Sequence, residues 1–137
     1  MKPTLRPGIS RTNRIAVGRE RTISFMGEGL RTYATPSMIL DIEQTSRELI
    51  IEHADPGEDS VGMEVAVKHL APTLMGMAVE VTVTVMAVEG RKVTFEVAVS
   101  DELDKVGTGT HTRFVVEKAK TLERLKAKAA RLAAQKS

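Results

Sequence analysis

TPSMILDIEQTSRELIIEH, residues 35–53, is the long stretch of this chain with a clear helical period. Met38, Ile39, Ile42, Ser46, Leu49 and Ile50 recur at spacings of three and four and predict a helix with one apolar stripe. Thr35 is placed to cap its N-terminus, and Pro36 suits the first helical position, where its missing N–H is harmless. Asp55-Pro56-Gly57 then makes a turn. A helix with a single apolar stripe needs a surface to cover it.

The rest of the chain supplies that surface. Four runs read as strands: 61–71, 77–88, 91–100 and 106–117. Met77, Val79, Val81, Val83 and Val85 alternate with smaller or polar residues, and so do Val93, Phe95, Val97 and Val99. Glu89-Gly90 signals a tight turn, and SDELDK, 100–105, the next hairpin loop. Period-two patterning of this kind implies an antiparallel sheet with one covered face. Upstream, residues 9–24 are weakly patterned, with an edge strand or two broken at Gly18, and MGEGLRTYA, 26–34, reads as a loop. From Lys118 the helical period returns, with Leu122, Leu125, Ala129 and Leu132 on one side. The predicted fold class is α+β: an antiparallel sheet wrapped around a central long helix, plus a C-terminal helix. Without internal repeats or linkers, residues 1–137 read as one domain, of which 118–137 form a basic helix or tail.

Composition narrows the function. Three Phe, one Tyr and no Trp make an aliphatic core and leave little platform for stacking bases, which argues against nucleic-acid binding. With no cysteine there is no disulfide, thiol nucleophile or thiolate metal site, which suits a reducing cytoplasm. No run of 18 apolar residues predicts a membrane span, and the basic N-terminus lacks the apolar core of a secretory signal; the expectation is a soluble, cytoplasmic protein. The net charge of +2 is uneven: +5 over residues 1–21, −9 over 22–117 and +6 over 118–137. Basic ends around an acidic body suit either solubility or the binding of a polyanion.

Several residues stand out chemically. In VGMEVAVKHLAPT, 61–73, the row Val61, Met63, Val65 and Val67 finishes in His69, a residue suited to proton transfer near neutrality. Glu43 interrupts the helix beside its stripe, as either a solvated or a reactive carboxylate. Gly107, Gly109, His111 and Arg113 share a strand face, where glycines let a ligand approach and Arg113 could meet an anionic or carbonyl oxygen. His53, His69 and His111 lack metal-ligand spacing, and there is no GxSxG elbow, phosphate loop or dinucleotide fingerprint.

Thr35, Glu43 eight residues on, PGEDSVG from Pro56 to Gly62, His69 seven residues after that glycine, and GTGTHTR from Gly107 to Arg113 occur together in register. This arrangement resembles the hotdog-fold acyl-CoA thioesterases, in the branch typified by the fluoroacetyl-CoA thioesterase, over roughly residues 22–116. The resemblance implies hydrolysis of a small or medium acyl-CoA to free acid and CoA, with CoA as part of the substrate and no cofactor or metal. It implies a homodimer or higher homo-oligomer with sites at the subunit interface, Thr35, Glu43 and His69 as the catalytic group, and Gly62 and Arg113 beside the acyl group. Tyr33, the one aromatic of the 26–34 loop, joins them as a substrate-binding residue; the fluorine-selective branch has phenylalanines in that loop. Either Thr35 attacks with His69 as base and Glu43 orienting the imidazole, or Glu43 attacks or activates water. Eight residues along a helix is about 12 Å and about 80° of rotation, so the three meet only if the chain folds back or acts from two sides. A non-catalytic hotdog domain that binds acyl-CoA or another acyl ligand is the alternative.

Overall fold

The structure, a computed structural model, describes residues 1–136. In chain order it comprises β1 (Ser10–Ala16), α1 (Thr35–Glu52), β2 (Glu58–His69), β3 (Ala78–Glu89), β4 (Lys92–Ser100), β5 (Lys105–Glu117) and α2 (Lys118–Lys136), with two short 3₁₀ turns between β1 and α1. The strands form one antiparallel sheet in the order β1-β3-β4-β5-β2, so β1 and β2 are its edges. The predicted α+β class, with its long helix against an antiparallel sheet, is what the chain adopts.

The core follows from the two periods. Met38, Ile42, Leu49 and Ile50 on α1 are buried, and so are the odd-numbered positions Val79 to Val85 of β3 and Val93 to Val99 of β4. One stripe of a 3.6-residue helix thus meets one face of a period-two sheet. Each such side chain contributes about 1.5–3 kcal/mol when fully buried. After α1 the chain reverses at Asp55-Pro56-Gly57. There the Glu58 amide donates to the Asp55 carbonyl at 3.1 Å, and Gly57 takes the positive φ of 84° that a type II turn requires.

Two local expectations are corrected. Thr35 does not cap α1: Ala34 occupies the N-cap without a side-chain bond, Thr35 is the first helical residue, and Pro36 follows it in the first turn. Freed from capping, the Thr35 hydroxyl is available elsewhere. Nor do Val61, Met63, Val65, Val67 and His69 share a face. Gly62 pairs with Arg113 and Glu64 with Thr112, leaving Met63 without a partner. This bulge inserts one residue and reverses the alternation. Before it, Ser60 and Gly62 face α1; after it, Val65, Val67 and His69 lie opposite His111, Gly109 and Gly107. Val61 lies instead on the outer face, opposite the exposed Phe114.

No residue of α2 is buried as a whole. Truncation after Ala127 should therefore keep the sheet and α1 folded and shift stability within about 0.5 kcal/mol, checked by thermal melting. Loss of soluble protein would mean that the distal turns belong to a covered surface.

Candidate active site

The bulge and the helix start bring the first reactive pair together. Thr35 Oγ1 lies 2.8 Å from His69 Nδ1, joining the first turn of α1 to the last residue of β2. His69 Nε2 is buried and has no hydrogen-bond partner among the described residues. Burial lowers the pKa of this imidazole, favouring the neutral form that can accept a proton. The pair stands at a cleft of about 460 Å³ lined by Ile23, Phe25, Tyr33, Leu70 and Pro72 among others.

Tyr33 forms part of that cleft's wall, packed edge-on to the His69 ring at 6.1 Å between centroids. Its hydroxyl donates to Asp41 Oδ2 at 2.5 Å, and Arg21 Nε donates to the same oxygen at 3.2 Å. Burial and the Asp41 carboxylate raise the pKa of the phenol and keep it protonated. The hydroxyl of Tyr33 is thus engaged within the protein, while its ring faces the histidine.

The second group forms about two turns further along α1. Glu43 Oε2 accepts from Arg113 Nη1 at 3.3 Å, and a Cβ at Gly62 would come within 2.7 Å of that oxygen. Glycine is therefore needed at position 62 if the carboxylate is to keep its place. Arg113 is fixed by Ser60: its Nε donates to Ser60 Oγ at 2.7 Å and its Nη2 to Ser60 O at 2.9 Å. Burial pulls the pKa of the guanidinium down while Glu43 pulls it up, and a guanidinium stays charged either way. His111 Nδ1 donates to the bulge carbonyl of Glu64 at 2.7 Å, which leaves Nε2 to accept from Arg113 Nη1 at 3.3 Å. The ring stacks on Phe95, and burial, aided by the Arg113 charge, lowers its pKa and favours the neutral form.

The six anticipated site residues therefore fall into two groups. Thr35, His69 and Tyr33 cluster at one end of β2, and Glu43, Gly62 and Arg113 at the other. Gly62 and His69 are seven residues apart on a strand, about 20 Å, and Thr35 and Glu43 are about 12 Å apart on α1. Sequence reasoning missed Asp41, which looks like one more solvated acid of the helix, and Ser60. It also missed Phe25, which precedes the loop as delimited from sequence yet lines the cleft. Among the described residues no three His, Asp or Glu side chains converge as metal ligands, and no helix is long and apolar enough to cross a membrane.

A five-stranded antiparallel sheet laid on one long helix, with a second helix at the C-terminal end, is the hotdog architecture. Residues 17–119 match the fluoroacetyl-CoA-specific thioesterase family, and the chain belongs to it. It is a thioester hydrolase. The fluoroacetyl-CoA thioesterase of Streptantibioticus cattleyicolor is 31% identical over 135 residues, covering 93% of this chain and 94% of that protein. A crystal structure of a fluoroacetyl-CoA thioesterase superposes with a TM-score of 0.82 at 28% identity, covering 90% of this chain and 97% of that one. A Thermus thermophilus member of the thioesterase superfamily superposes with a TM-score of 0.89 at 29% identity, over 98% and 99% of the two chains.

Proposed function

We propose that the protein hydrolyses a small or medium acyl-CoA to free acid and CoA, at sites shared between two copies of the chain. The observation that carries this reading is the 2.8 Å contact of Thr35 Oγ1 with His69 Nδ1, with Glu43 held by Arg113 at the far end of β2. No single chain brings the carboxylate to its own imidazole. A two-fold axis can do so. β2 is an edge strand with the exposed apolar residues Met63 and Val65, which suits pairing with a second β2. An antiparallel register centred on Ala66, with Met63 as the extra residue of the bulge, sets each His69 opposite the partner's Gly62, beside the partner's Glu43 and Arg113.

In such a site the thioester carbonyl lies between the two groups. His69 takes the Thr35 hydroxyl proton, Thr35 Oγ attacks the carbonyl carbon, and the developing oxyanion is met by Arg113 or by backbone N–H groups near Gly62. Collapse breaks the C–S bond, and the imidazolium returns its proton to the CoA sulfur. Water, activated by the same histidine, then releases the acid and regenerates Thr35. Glu43 stabilises the imidazolium as it forms. In the variant route Glu43 attacks or activates water, and His69 handles the protons.

Mixing two inactive variants tests the shared site. In a dimer of Glu43→Gln with His69→Ala subunits, one site keeps both native groups. Random reassociation should restore about a quarter of the wild-type sites, read as thiol release from an acyl-CoA. Failure of the mixture to recover any turnover, when each parent is folded and dimeric, would place all three residues in one chain's site.

A further inference from the structure

Between α2 and the start of β2 runs a groove of about 310 Å³ whose apolar walls are Val61, Val116, Leu122 and Leu125. We propose that this groove seats the pantetheine arm of CoA and that the lysines flanking it on α2 hold the phosphates; this rests on the acyl-CoA reading above.

The groove begins at the candidate site. Ser60 lines it, and Ser60 is the residue that fixes Arg113 and, through it, Glu43. One side is closed by Arg47, whose Nε and Nη2 donate to the two Asp59 oxygens at 2.9 and 2.8 Å. Thr121 Oγ1, in the groove wall, is buried with no hydrogen-bond partner among the described residues. A buried hydroxyl without a partner costs free energy, and an amide of the ligand would satisfy it. Pantetheine offers what these walls ask for: apolar spacers interrupted by two amides.

Charge determines which way the ligand runs. Residues 22–117 carry −9, so most of the body repels a polyphosphate. Residues 118–137 hold seven Lys or Arg against the single acid Glu123. Lys118 stands at the mouth of the groove. By helical spacing Lys126 and Lys128 lie on opposite flanks of the stripe formed by Leu122, Leu125, Ala129 and Leu132, and both are exposed. Lys118 to Lys128 spans about 15 Å of helix, enough to carry a chain from the protein body to a cationic platform. The exposed leucines of α2, which cover nothing in the chain itself, thus line a path for a ligand that is apolar near the reacting end and anionic at the other.

Calorimetric titration of the full chain with CoA, and with pantetheine, which lacks the phosphates, tests this. Lys126→Glu with Lys128→Glu should weaken CoA binding by about tenfold or more, abolish most of its salt dependence, and leave pantetheine binding unchanged. Leu122→Ser with Leu125→Ser should weaken both ligands while the oligomeric state stays that of the wild type. Unchanged CoA affinity in the lysine variant overturns the proposal. So does dissociation of the oligomer in the leucine variant, which would show that a second copy covers the groove. Wild-type turnover of an acyl-pantetheine thioester separates this inference from the reading beneath it. Its absence, with CoA bound as described, sinks the hydrolytic mechanism alone.

Discussion

His69→Ala should cut acyl-CoA hydrolysis by about 10² to 10⁴, the usual value of a positioned acid–base group, and leave the fold intact. The side chain terminates β2 and contacts Thr35 and the edge of Tyr33 rather than the valine core, so its loss removes proton transfer more than packing. The pH profile should carry the same signature. On the proposed mechanism His69 is the base and works when neutral, and burial lowers its pKa, so the acidic limb of kcat/KM should fall below the ordinary histidine value of about 6.5. That limb should vanish from whatever turnover the alanine variant retains. Thr35→Ala separates the two routes cleanly, because Thr35 caps nothing and its removal carries no capping penalty. A loss as deep as that of the histidine variant identifies Thr35 as the nucleophile; a milder loss favours Glu43 or water. Full turnover in His69→Ala would end the assignment.

Glu43→Gln should be nearly as damaging, about 10² or more in kcat, since an amide neither attacks nor supports an imidazolium. Its structural cost should be small. The Glu43 side chain is 40% exposed, and partly solvated ion pairs contribute about 0–1 kcal/mol. Arg113 keeps both of its bonds to Ser60 in the variant. Thermal melting and steady-state kinetics on the same preparation decide the matter. A glutamine variant that melts with the wild type and turns over at the wild-type rate would confine Glu43 to holding Arg113.

The features that the sequence announced are those that repeat. Met38 to Ile50 and Val79 to Val99 declare helix and sheet because burying one face imposes a period, and a period survives in the order of residues. The motif residues were legible by their spacing, and the helix rise already set Thr35 and Glu43 about 12 Å apart. That Glu43 pairs with Arg113 and Thr35 with His69 was not legible, since spacing records separation along the chain rather than contacts between elements. Asp41 was unreadable for a different cause. Its burial depends on Arg21 and Tyr33, which reach it from segments without periodic pattern. The start of α1 was misplaced by one residue because threonine before proline satisfies the capping rule whether or not its hydroxyl turns inward. Here the imidazole offers that hydroxyl a partner across the cleft.

The unpaired Met63 gives β2 two halves in opposite phase, like a wave with half a period inserted. Ser60 and Gly62 belong to the first half, and His69 to the second. An exchange of Met63 for another side chain alters an amplitude, and the strand can absorb it at its exposed edge. Its deletion takes the inserted half-period out again. Gly62 and Glu64 then become neighbours opposite Arg113 and Thr112, the ladder closes without a bulge, and the imidazole that α1 awaits stays on the inner side of the sheet.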